Sequence, residues 1–357
     1  MPKVFMQRVA IIFLVAVISL ATLGLGTCGA AAGKKLKKLK KLNILTINLM
    51  LINPQSLPES AFDWPIRADT LVSFVQQQEV LGEPVDFILC QEGHGGELSK
   101  ILGGGGDTIL DLQQRLKASG LTYYAASIVC FPNTDTGGYP LESNFLVGIL
   151  SKYPILQVEQ GELTCDATLP PESKIRKAIA CITLVPGIGR VNLFSAHLSD
   201  YCGGNVDQGE QLIAFFKSVA DTYPAALYIL GGDFNATRDS GLYSYLTNVI
   251  KLVDTFAAAN DLSTNPGDTF AVPGNPFGPD AGPRRIDYIF AITGGQKPMN
   301  PNAAPLGVIA SRVALNGTQD LGGFMSDHCG VLSKINISPP PGPKPMRDIG
   351  PLSHSPD

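Results

Sequence analysis

Residues 226–235 read ALYILGGDFN, a short apolar run that ends in two polar side chains, Asp233 and Asn235. An apolar run of this length, bounded by glycine, predicts a buried β-strand. A polar residue that directly follows a buried strand lies at the rim of its sheet, where side chains from several strands can meet. Because Asp, Asn and Gly also favour turns, Asp233 could instead be a turn former and nothing more.

Three further strand-like runs carry polar residues at their ends. They are residues 42–49 around Asn48, 85–90 before Glu92 and 191–196 before His197. Because strands that share a rim present their end residues on one surface, we expect these side chains to converge with Asp233. The alternative for His197 is a structural histidine whose hydrogen bonds are satisfied within the fold.

Two more short polar motifs lie near the carboxyl end of the chain. One is RIDYI at 285–289, which contains Asp287, and the other is SDHC at 326–329, which contains Asp327 and His328. Oxygen donors such as those of Asn48, Glu92 and Asp327 suit Mg²⁺, which takes one or two carboxylates and keeps several waters. We therefore expect a Mg²⁺ site, with Mn²⁺ as the substitute metal. The cysteines show no paired spacing of the kind that binds zinc.

The order of these motifs resembles the order of the motifs in the endonuclease/exonuclease/phosphatase superfamily. This superfamily includes deoxyribonuclease I, abasic-site endonucleases, inositol-polyphosphate phosphatases and bacterial sphingomyelinases. The resemblance covers about residues 43 to 335. It implies an α/β fold, a four-layered sandwich in which two central, mostly antiparallel sheets are flanked by helices. It also implies site roles: Asn48 and Glu92 at the metal, Asp233 and Asn235 against the phosphate and its nucleophile, and Asp327 and His328 closing the site.

In the same family the aspartate of the Ile-Asp-Tyr word orients the final histidine, which here pairs Asp287 with His328. An imidazole titrates near neutrality, and a carboxylate partner fixes its tautomer and raises its basicity, so we expect His328 to be the general base for the attacking water. His197 would donate a hydrogen bond to the phosphate or a proton to the leaving group. Asp287 could instead pair with the neighbouring Arg284 or Arg285.

Glycine-rich segments and amphipathic runs complete the expected fold. The glycines around His94 predict a mobile loop rather than a ligand, and the glycine run at 103–106 lacks the ending of a phosphate-binding loop and predicts a flexible connection. Residues 107–118 predict a helix. Its expected core residues are Ile109, Leu110, Leu112 and Leu116. Residues 69–78 and 208–220 predict two further helices.

The two ends differ in composition from the rest, so we expect one domain at residues 43–337, following a Lys-rich spacer at 34–42. Residues 1–33 have the charged start and apolar stretch of a secretory signal, with cleavage after Ala32. Alternatives are lipidation at Cys28 and an uncleaved membrane anchor, which the following lysines favour. Residues 338–357 are rich in proline and predict a disordered tail.

Two cysteines, Cys165 and Cys202, flank the strand that precedes His197. A similar pair is bridged in secreted bacterial sphingomyelinases, so the resemblance implies a disulfide here. Cys90, Cys181 and Cys329 lie in apolar strand contexts, which predict buried free thiols.

Charge bears on the substrate. Residues 1–41 hold eight of the 27 Lys and Arg and none of the 31 Asp and Glu, so the remainder has a net charge of −12. Binding to a nucleic-acid backbone depends largely on Lys and Arg, so nucleic acid is a less favoured partner. Abasic-site endonucleases carry an acidic metal ligand two residues after the asparagine that corresponds to Asn48. Met50 occupies that position here, which separates this chain from that branch of the family.

The expected protein is thus an exported, monomeric, Mg²⁺-dependent phosphodiesterase. Its substrate would be a membrane phospholipid headgroup, as in sphingomyelinases, or a small phosphate ester. The alternative enzyme is a secreted, deoxyribonuclease I-like nuclease. A third interpretation, a catalytically silent binding module, predicts the loss of His197, Asp233 or His328, and all three are present.

Overall fold

A computed structural model describes residues 40–50, 64–101, 103–133, 143–164, 175–200, 206–279, 281–294, 306–318 and 322–337. The expected targeting segment, the proline-rich tail and both members of the expected Cys165–Cys202 disulfide lie outside these residues. No helix within the described ranges is long and apolar enough to cross a membrane.

The described chain forms twelve strands and six helices. The strands are β1 Lys40–Asn48, β2 Phe87–Gly95, β3 Tyr124–Asn133, β4 Ser143–Ser151, β5 Ile155–Thr164, β6 Ile175–Val185, β7 Gly189–His197, β8 Leu227–Asp233, β9 Val253–Asp254, β10 Asp287–Thr293, β11 Gly307–Ala314 and β12 Gly330–Ile337. The helices are α1 Trp64–Val80, α2 Gly96–Ile101, α3 Thr108–Ala118, α4 Val206–Thr222, α5 Gly241–Ser244 and α6 Thr255–Ala259, and α5 continues into a π-helical turn, Tyr245–Val249. The first strand begins within the expected Lys-rich spacer.

The strands form two six-stranded sheets, one in the order β11-β12-β1-β2-β4-β3 and the other in the order β5-β6-β7-β8-β10-β9. Each sheet is antiparallel except for one parallel pair, β1 with β2 and β7 with β8. With helices on the outer faces, this is the four-layered α/β sandwich that the family resemblance implies. The fold prediction is confirmed.

Three apolar clusters of described residues hold the layers together. Between the sheets, residues such as Leu89 of β2 share one cluster with Leu193 and Ile229 of β7 and β8. Helices α1 and α3 cover the outer face of the first sheet, and α4 covers that of the second. Because Leu89 and Ile229 are fully buried, truncating either to alanine should cost about 2–5 kcal/mol.

The helices match the expected positions, with one error in the predicted core. Asp107 caps α3 by accepting hydrogen bonds from the backbone N–H groups of Ile109 and Leu110. Ile109, Leu112 and Leu116 are buried as expected, but the side chain of Leu110 is 41% exposed. The prediction for Leu110 is wrong because successive residues point about 100° apart on a helix, and the buried face follows the spacing of three and four residues.

The glycine-rich segments pack within the fold, and the loop prediction around His94 is wrong because His94 lies in a strand. His94 lies inside β2 and is only 1% exposed. At Gly93 a Cβ would lie 3.0 Å from the side chain of Ile109, so the missing side chain allows α3 to pack closely on the strand. The run at 103–106 is a hydrogen-bonded turn, in which Gly104 N–H donates to the Ser99 carbonyl and Gly96 N–H donates to the Gly106 carbonyl.

Candidate active site

Strand pairing sets the first row of site residues. The parallel pairing of β7 and β8 places His197 beside Asp233, and the antiparallel pairing of β8 and β10 places Asp287 on the other side of Asp233. Gly232 has φ +150°, and a Cβ at this position would lie 1.9 Å from the Ala196 carbonyl oxygen. Only glycine therefore allows β7 and β8 to come together next to the row.

The other sheet supplies Asn48 and Glu92. Their strands are parallel neighbours, with Asn48 paired opposite Gln91. The β2–β4 pairing is irregular between Cys90 and Gly93, and Glu92 lies inside this irregularity with φ +50°. The Gln91 side chain donates a 3.0 Å hydrogen bond to Ser195 Oγ of the other sheet, so the two sheets are joined beneath the site.

Three non-glycine residues in the left-handed backbone region surround the site: Met50, Glu92 and Asn235, with φ of 55°, 50° and 47°. Such conformations cost free energy and cluster at functional sites, where the surrounding structure maintains them. Asn235 is held by its own backbone N–H, which donates to Asp233 Oδ1 at 2.8 Å, and by its side-chain Nδ2, which donates to the Leu198 carbonyl at 2.9 Å.

Asn48 connects the two acidic residues on the metal side. Its Nδ2 donates to Glu92 Oε1 at 2.9 Å and to Asp233 Oδ2 at 3.0 Å, while its Oδ1 accepts from the Met50 N–H at 2.9 Å. In this orientation the amide nitrogen, and not the oxygen, faces the carboxylates. Asn48 thus holds Glu92 and Asp233 together, and its expected coordination of the metal stays a prediction.

The pair expected from the resemblance, Asp287 with His328, is present. Asp287 Oδ2 lies 2.8 Å from His328 Nδ1, and His328 Nε2 lies 3.7 Å from Asp233 Oδ2. The alternative partners of Asp287 are engaged elsewhere. Arg285 forms a buried, two-bonded ion pair with Asp254, at 2.8 and 3.1 Å, and the Arg284 guanidinium lies over the Phe270 ring.

His197 faces the same centre from the opposite side. Its Nε2 lies 3.6 Å from Glu92 Oε1, 3.7 Å from Asp233 Oδ2 and 3.3 Å from Asn235 Nδ2. Burial, and then the charges of Arg176 and His328, hold the pKa of His197 well below its ordinary value. His197 is therefore neutral, which suits a hydrogen-bonding role better than transfer of a proton from an imidazolium.

Burial and the neighbouring carboxylates shift the pKa values of Asp233 and His328, where several negative charges lie close together. Burial, followed by the charge of Asp287, raises the pKa of Asp233 to about 8. Burial alone would lower the pKa of His328, but the carboxylates of Asp287 and Asp233 outweigh it and raise the pKa well above its ordinary value. A divalent cation beside Asp233 would relieve this charge excess.

Two groups of side chains in the described residues bring potential metal-binding atoms together. One contains Glu92, His197 and Asp233, and the other contains Asp233, Asp287 and His328. Because Asp287 already engages His328, the first group fits a divalent cation better, and its two carboxylates suit Mg²⁺. Asp327 belongs to neither group. It is partly exposed and accepts a 3.2 Å hydrogen bond from Ser326 Oγ.

Sequence reasoning missed Arg67, which lies behind the site and is 2% exposed. Its guanidinium donates to the carbonyls of Leu49 at 2.7 Å and Met325 at 3.2 Å. It thereby joins the segment after Asn48 to the segment before Asp327. The signal that could have found it is an arginine placed within the apolar face of α1.

Sequence reasoning also missed the support beneath the Asp287–His328 pair. Thr269 Oγ1 accepts hydrogen bonds from the N–H groups of Ile286 and Asp287, both at 3.2 Å, and its carbonyl accepts from Cys329 N–H at 2.7 Å. Thr269 thereby holds the backbones on both sides of the pair. No local pattern marks a threonine for this role.

A sequence model of the endonuclease/exonuclease/phosphatase family matches residues 45–328. No curated protein matches the chain.

Solved structures share the fold at low identity. An endonuclease/exonuclease/phosphatase from Beutenbergia cavernae has 22% identity and a TM-score of 0.58 over 84% of this chain and 72% of its own. A mannosyl-6-phosphatase from Bacteroides thetaiotaomicron has 17% identity and a TM-score of 0.56, over 82% and 99%. The catalytic domain of human nocturnin, with a bound sulfate anion, has 15% identity and a TM-score of 0.54, over 84% and 95%.

Proposed function

Because the chain belongs to the endonuclease/exonuclease/phosphatase family, whose enzymes hydrolyse phosphoester bonds with a divalent metal, we propose that it is an exported, Mg²⁺-dependent phosphodiesterase. The observation that carries this proposal is the position of Asp233. Its Oδ2 is shared by the amide of Asn48, the Nε2 of His197 and the Nε2 of His328 within 3.0 to 3.7 Å. Carboxylate, amide and imidazole groups thus surround one small volume.

The proposed chemistry divides these groups by role. His328, held at Nδ1 by Asp287, presents Nε2 to the site and accepts the proton of the attacking water. Asp233 lies next to that nitrogen and orients the water. Asn235 and neutral His197 hydrogen-bond to the non-bridging phosphoryl oxygens, which positions the phosphorus for attack. When bound at Glu92 and Asp233, Mg²⁺ supplies charge stabilisation of the phosphoryl group and leaving oxygen, with Mn²⁺ as the substitute.

For the substrate, we propose a phospholipid headgroup, as in sphingomyelinases, or a small phosphate ester. The net charge of −12 outside residues 1–41 supports this over a nucleic acid. The similarity in fold to a protein named a mannosyl-6-phosphatase is consistent with a small phosphate ester. The second candidate is a secreted nuclease, because the same groups would serve any phosphodiester.

The proposed export rests on the composition of residues 1–33. The apolar stretch after Lys3 and Arg8 supports export, with cleavage after Ala32, lipidation at Cys28 and retention as an anchor as the three alternatives for residues 1–33. We propose a monomer with a single catalytic domain at 43–337. The Cys165–Cys202 disulfide remains a proposal of the same kind.

The test is Mg²⁺-dependent hydrolysis of sphingomyelin vesicles, plasmid DNA and bis(4-nitrophenyl) phosphate in parallel, with the full chain and with His328→Ala as control. Cleavage of the lipid or of the small diester, with plasmid DNA intact, supports the proposal. Cleavage of DNA alone would replace it with the nuclease. Hydrolysis of none of the three by a folded, metal-loaded protein would refute a phosphodiesterase of this range.

A further inference from the structure

Three short backbone segments meet beside the catalytic pair. Phe270 is paired with Arg284 on one side and with His328 on the other. The N–H groups of Phe270 and Arg284 each donate to the other's carbonyl, at 3.0 and 3.1 Å. Because directly paired residues of neighbouring extended segments present their side chains on the same face, His328, Phe270 and Arg284 form one row.

The side chains within this row are in contact. The ring centroids of Phe270 and His328 lie 4.7 Å apart. The guanidinium carbon of Arg284 lies 4.8 Å from the centroid of the Phe270 ring. Phe270 is therefore the shared neighbour of the imidazole and the guanidinium. The backbones of Arg284 and His328 are two strand spacings apart, about 10 Å. The Arg284 guanidinium lies over the ring of Phe270, the residue between them.

Arg284 is exposed, and within the described ranges its guanidinium lies against the Phe270 ring and forms no recorded ion pair. Its neighbour Arg285 is the opposite case, since that guanidinium is buried and bound to both oxygens of Asp254. A guanidinium that stacks on an aromatic ring keeps its N–H donors at its edge, in the fork that matches phosphate and carboxylate. Contact with the Phe270 ring also limits the orientations that this fork can adopt.

We propose that Arg284 binds a second phosphoryl group of the substrate, so that the enzyme selects phosphate esters that carry another phosphate next to the scissile one. The inference rests on the proposed function and narrows its substrate class. A phosphate bound at His328 would place a neighbouring phosphate of the same molecule within reach of the Arg284 fork. A phosphocholine headgroup would instead bring a cation towards Arg284, so the inference favours a phosphorylated headgroup or nucleotide over sphingomyelin.

The test uses a matched pair of substrates that differ by one phosphate. These are thymidine 5′-(4-nitrophenyl phosphate) and its 3′-phosphorylated counterpart, which release the same leaving group. We expect the wild-type full chain to prefer the bisphosphorylated ester. Arg284→Gln should lower kcat/KM for that ester by about 10- to 100-fold, the range for a lost charge-assisted hydrogen bond. It should leave kcat/KM for the monophosphate ester within about twofold, and Arg284→Lys should recover part of the preference.

The matched control is Arg190→Gln, which removes the same charge at the far end of β7, where Arg190 donates to the Pro224 carbonyl. It should leave the preference unchanged. A second arm compares vesicles of phosphatidylinositol 4-phosphate with vesicles of phosphatidylinositol. A larger effect of Arg284→Gln in this arm than with the nucleotides identifies a lipid source of the second phosphate, and a smaller effect identifies a soluble source.

The inference is overturned if the wild type shows no preference for the second phosphate, or if Arg284→Gln lowers kcat/KM for both members of each pair equally. The latter result would mean that Arg284 supports the site or contacts the substrate without binding its second phosphate. If the wild type hydrolyses neither member of either pair, the proposed function fails for these esters. Calorimetry with thymidine 3′,5′-bisphosphate and thymidine 5′-monophosphate then decides the inference. The inference requires that the wild type binds the bisphosphate more tightly and that Arg284→Gln abolishes this difference in affinity.

Discussion

Asp287 and His328 are 41 residues apart in the chain, and their side chains meet at 2.8 Å, Oδ2 to Nδ1. Asp287 is fully buried at the start of β10, and His328 precedes β12 of the other sheet. The contact therefore joins the two sheets at the rim of the site. With Nδ1 donating to the carboxylate, Nε2 is the nitrogen that faces Asp233 and the reacting groups.

Replacing Asp287 by Asn should impair catalysis and change its pH dependence. The variant loses the carboxylate that fixes the imidazole and raises its pKa, so we expect kcat to fall by about 100- to 10,000-fold. The wild-type rate should increase with pH as His328 loses its proton, at a pH that the Asp287 carboxylate raises above that of the variant. In Asp287→Asn this limb should move to lower pH, because the imidazole releases its proton more readily.

The measurement is a pH–rate profile at saturating Mg²⁺, with circular dichroism to establish that the variant is folded. A variant that loses activity without any movement of the limb would show that Asp287 only maintains the structure.

Replacing Glu92 by Gln should weaken metal binding. The substitution removes one of the two carboxylates proposed for the cation while keeping the size of the side chain, so we expect the Kd for Mg²⁺ or Mn²⁺ to rise by at least about tenfold. Titration calorimetry of the protein alone measures this without turnover. Glu210→Gln, on the exposed face of α4, is the matched control. Equal metal affinity in both variants would remove Glu92 from the proposed metal site.

Arg67 should stabilise both the fold and the site. Arg67→Met keeps the aliphatic stem but leaves the carbonyls of Leu49 and Met325 without this donor, so we expect a loss of about 2–4 kcal/mol in the free energy of unfolding. Activity should fall as well, because the segments that carry Asn48 and Asp327 lose their connection. Urea unfolding and the diester assay measure the two effects. Arg67→Lys should recover part of each, and no loss of stability in Arg67→Met would refute the role.

His94 should make the protein sensitive to acid. Burial, and then the charge of Arg67, lower the pKa of His94 to about 3, whereas an unfolded histidine titrates near 6.5. Between these values the unfolded state binds a proton that the folded state does not. Stability is therefore retained above about pH 6.5 and falls with decreasing pH, by about 1.4 kcal/mol per pH unit from this group.

His94→Gln removes that contribution and keeps a donor for the Met50 carbonyl, which His94 Nε2 contacts at 3.2 Å. Between pH 7.5 and pH 5.0, the metal-free wild type should lose about 2 kcal/mol more stability than the variant. Denaturant unfolding at the two pH values measures the difference. The same loss in both proteins would show that His94 takes up a proton in the folded state.

The sequence indicates which residues approach the site better than it indicates how they bind one another. Asp233 and His197 follow apolar runs, so their place at a sheet rim could be predicted. The row of His197, Asp233 and Asp287 depends on the pairing of β7, β8 and β10, which no local pattern encodes. The glycines near His94 predict a mobile loop, but Gly93 serves the close packing of α3. The sequence does not show which element lies against them.

Long-range contacts account for the other omissions. Arg67 acts through carbonyl groups of segments distant in the chain, and Arg284 acquires its position from backbone pairing with Phe270. A sequence pattern records the side chains of such residues but not their partners. Spacing alone leaves three possible partners for Asp287, namely His328, Arg284 and Arg285. The family resemblance selects His328.

Metal-dependent hydrolysis with His328 as the base is tested by the hydrolysis of bis(4-nitrophenyl) phosphate by the full chain, with Mg²⁺ and with EDTA, for the wild type and for His328→Ala. We predict metal-dependent turnover by the wild type, its loss in EDTA, and a decrease of at least about 100-fold in a folded His328→Ala variant. Turnover that persists in EDTA, or a folded His328→Ala variant as active as the wild type, would contradict the account.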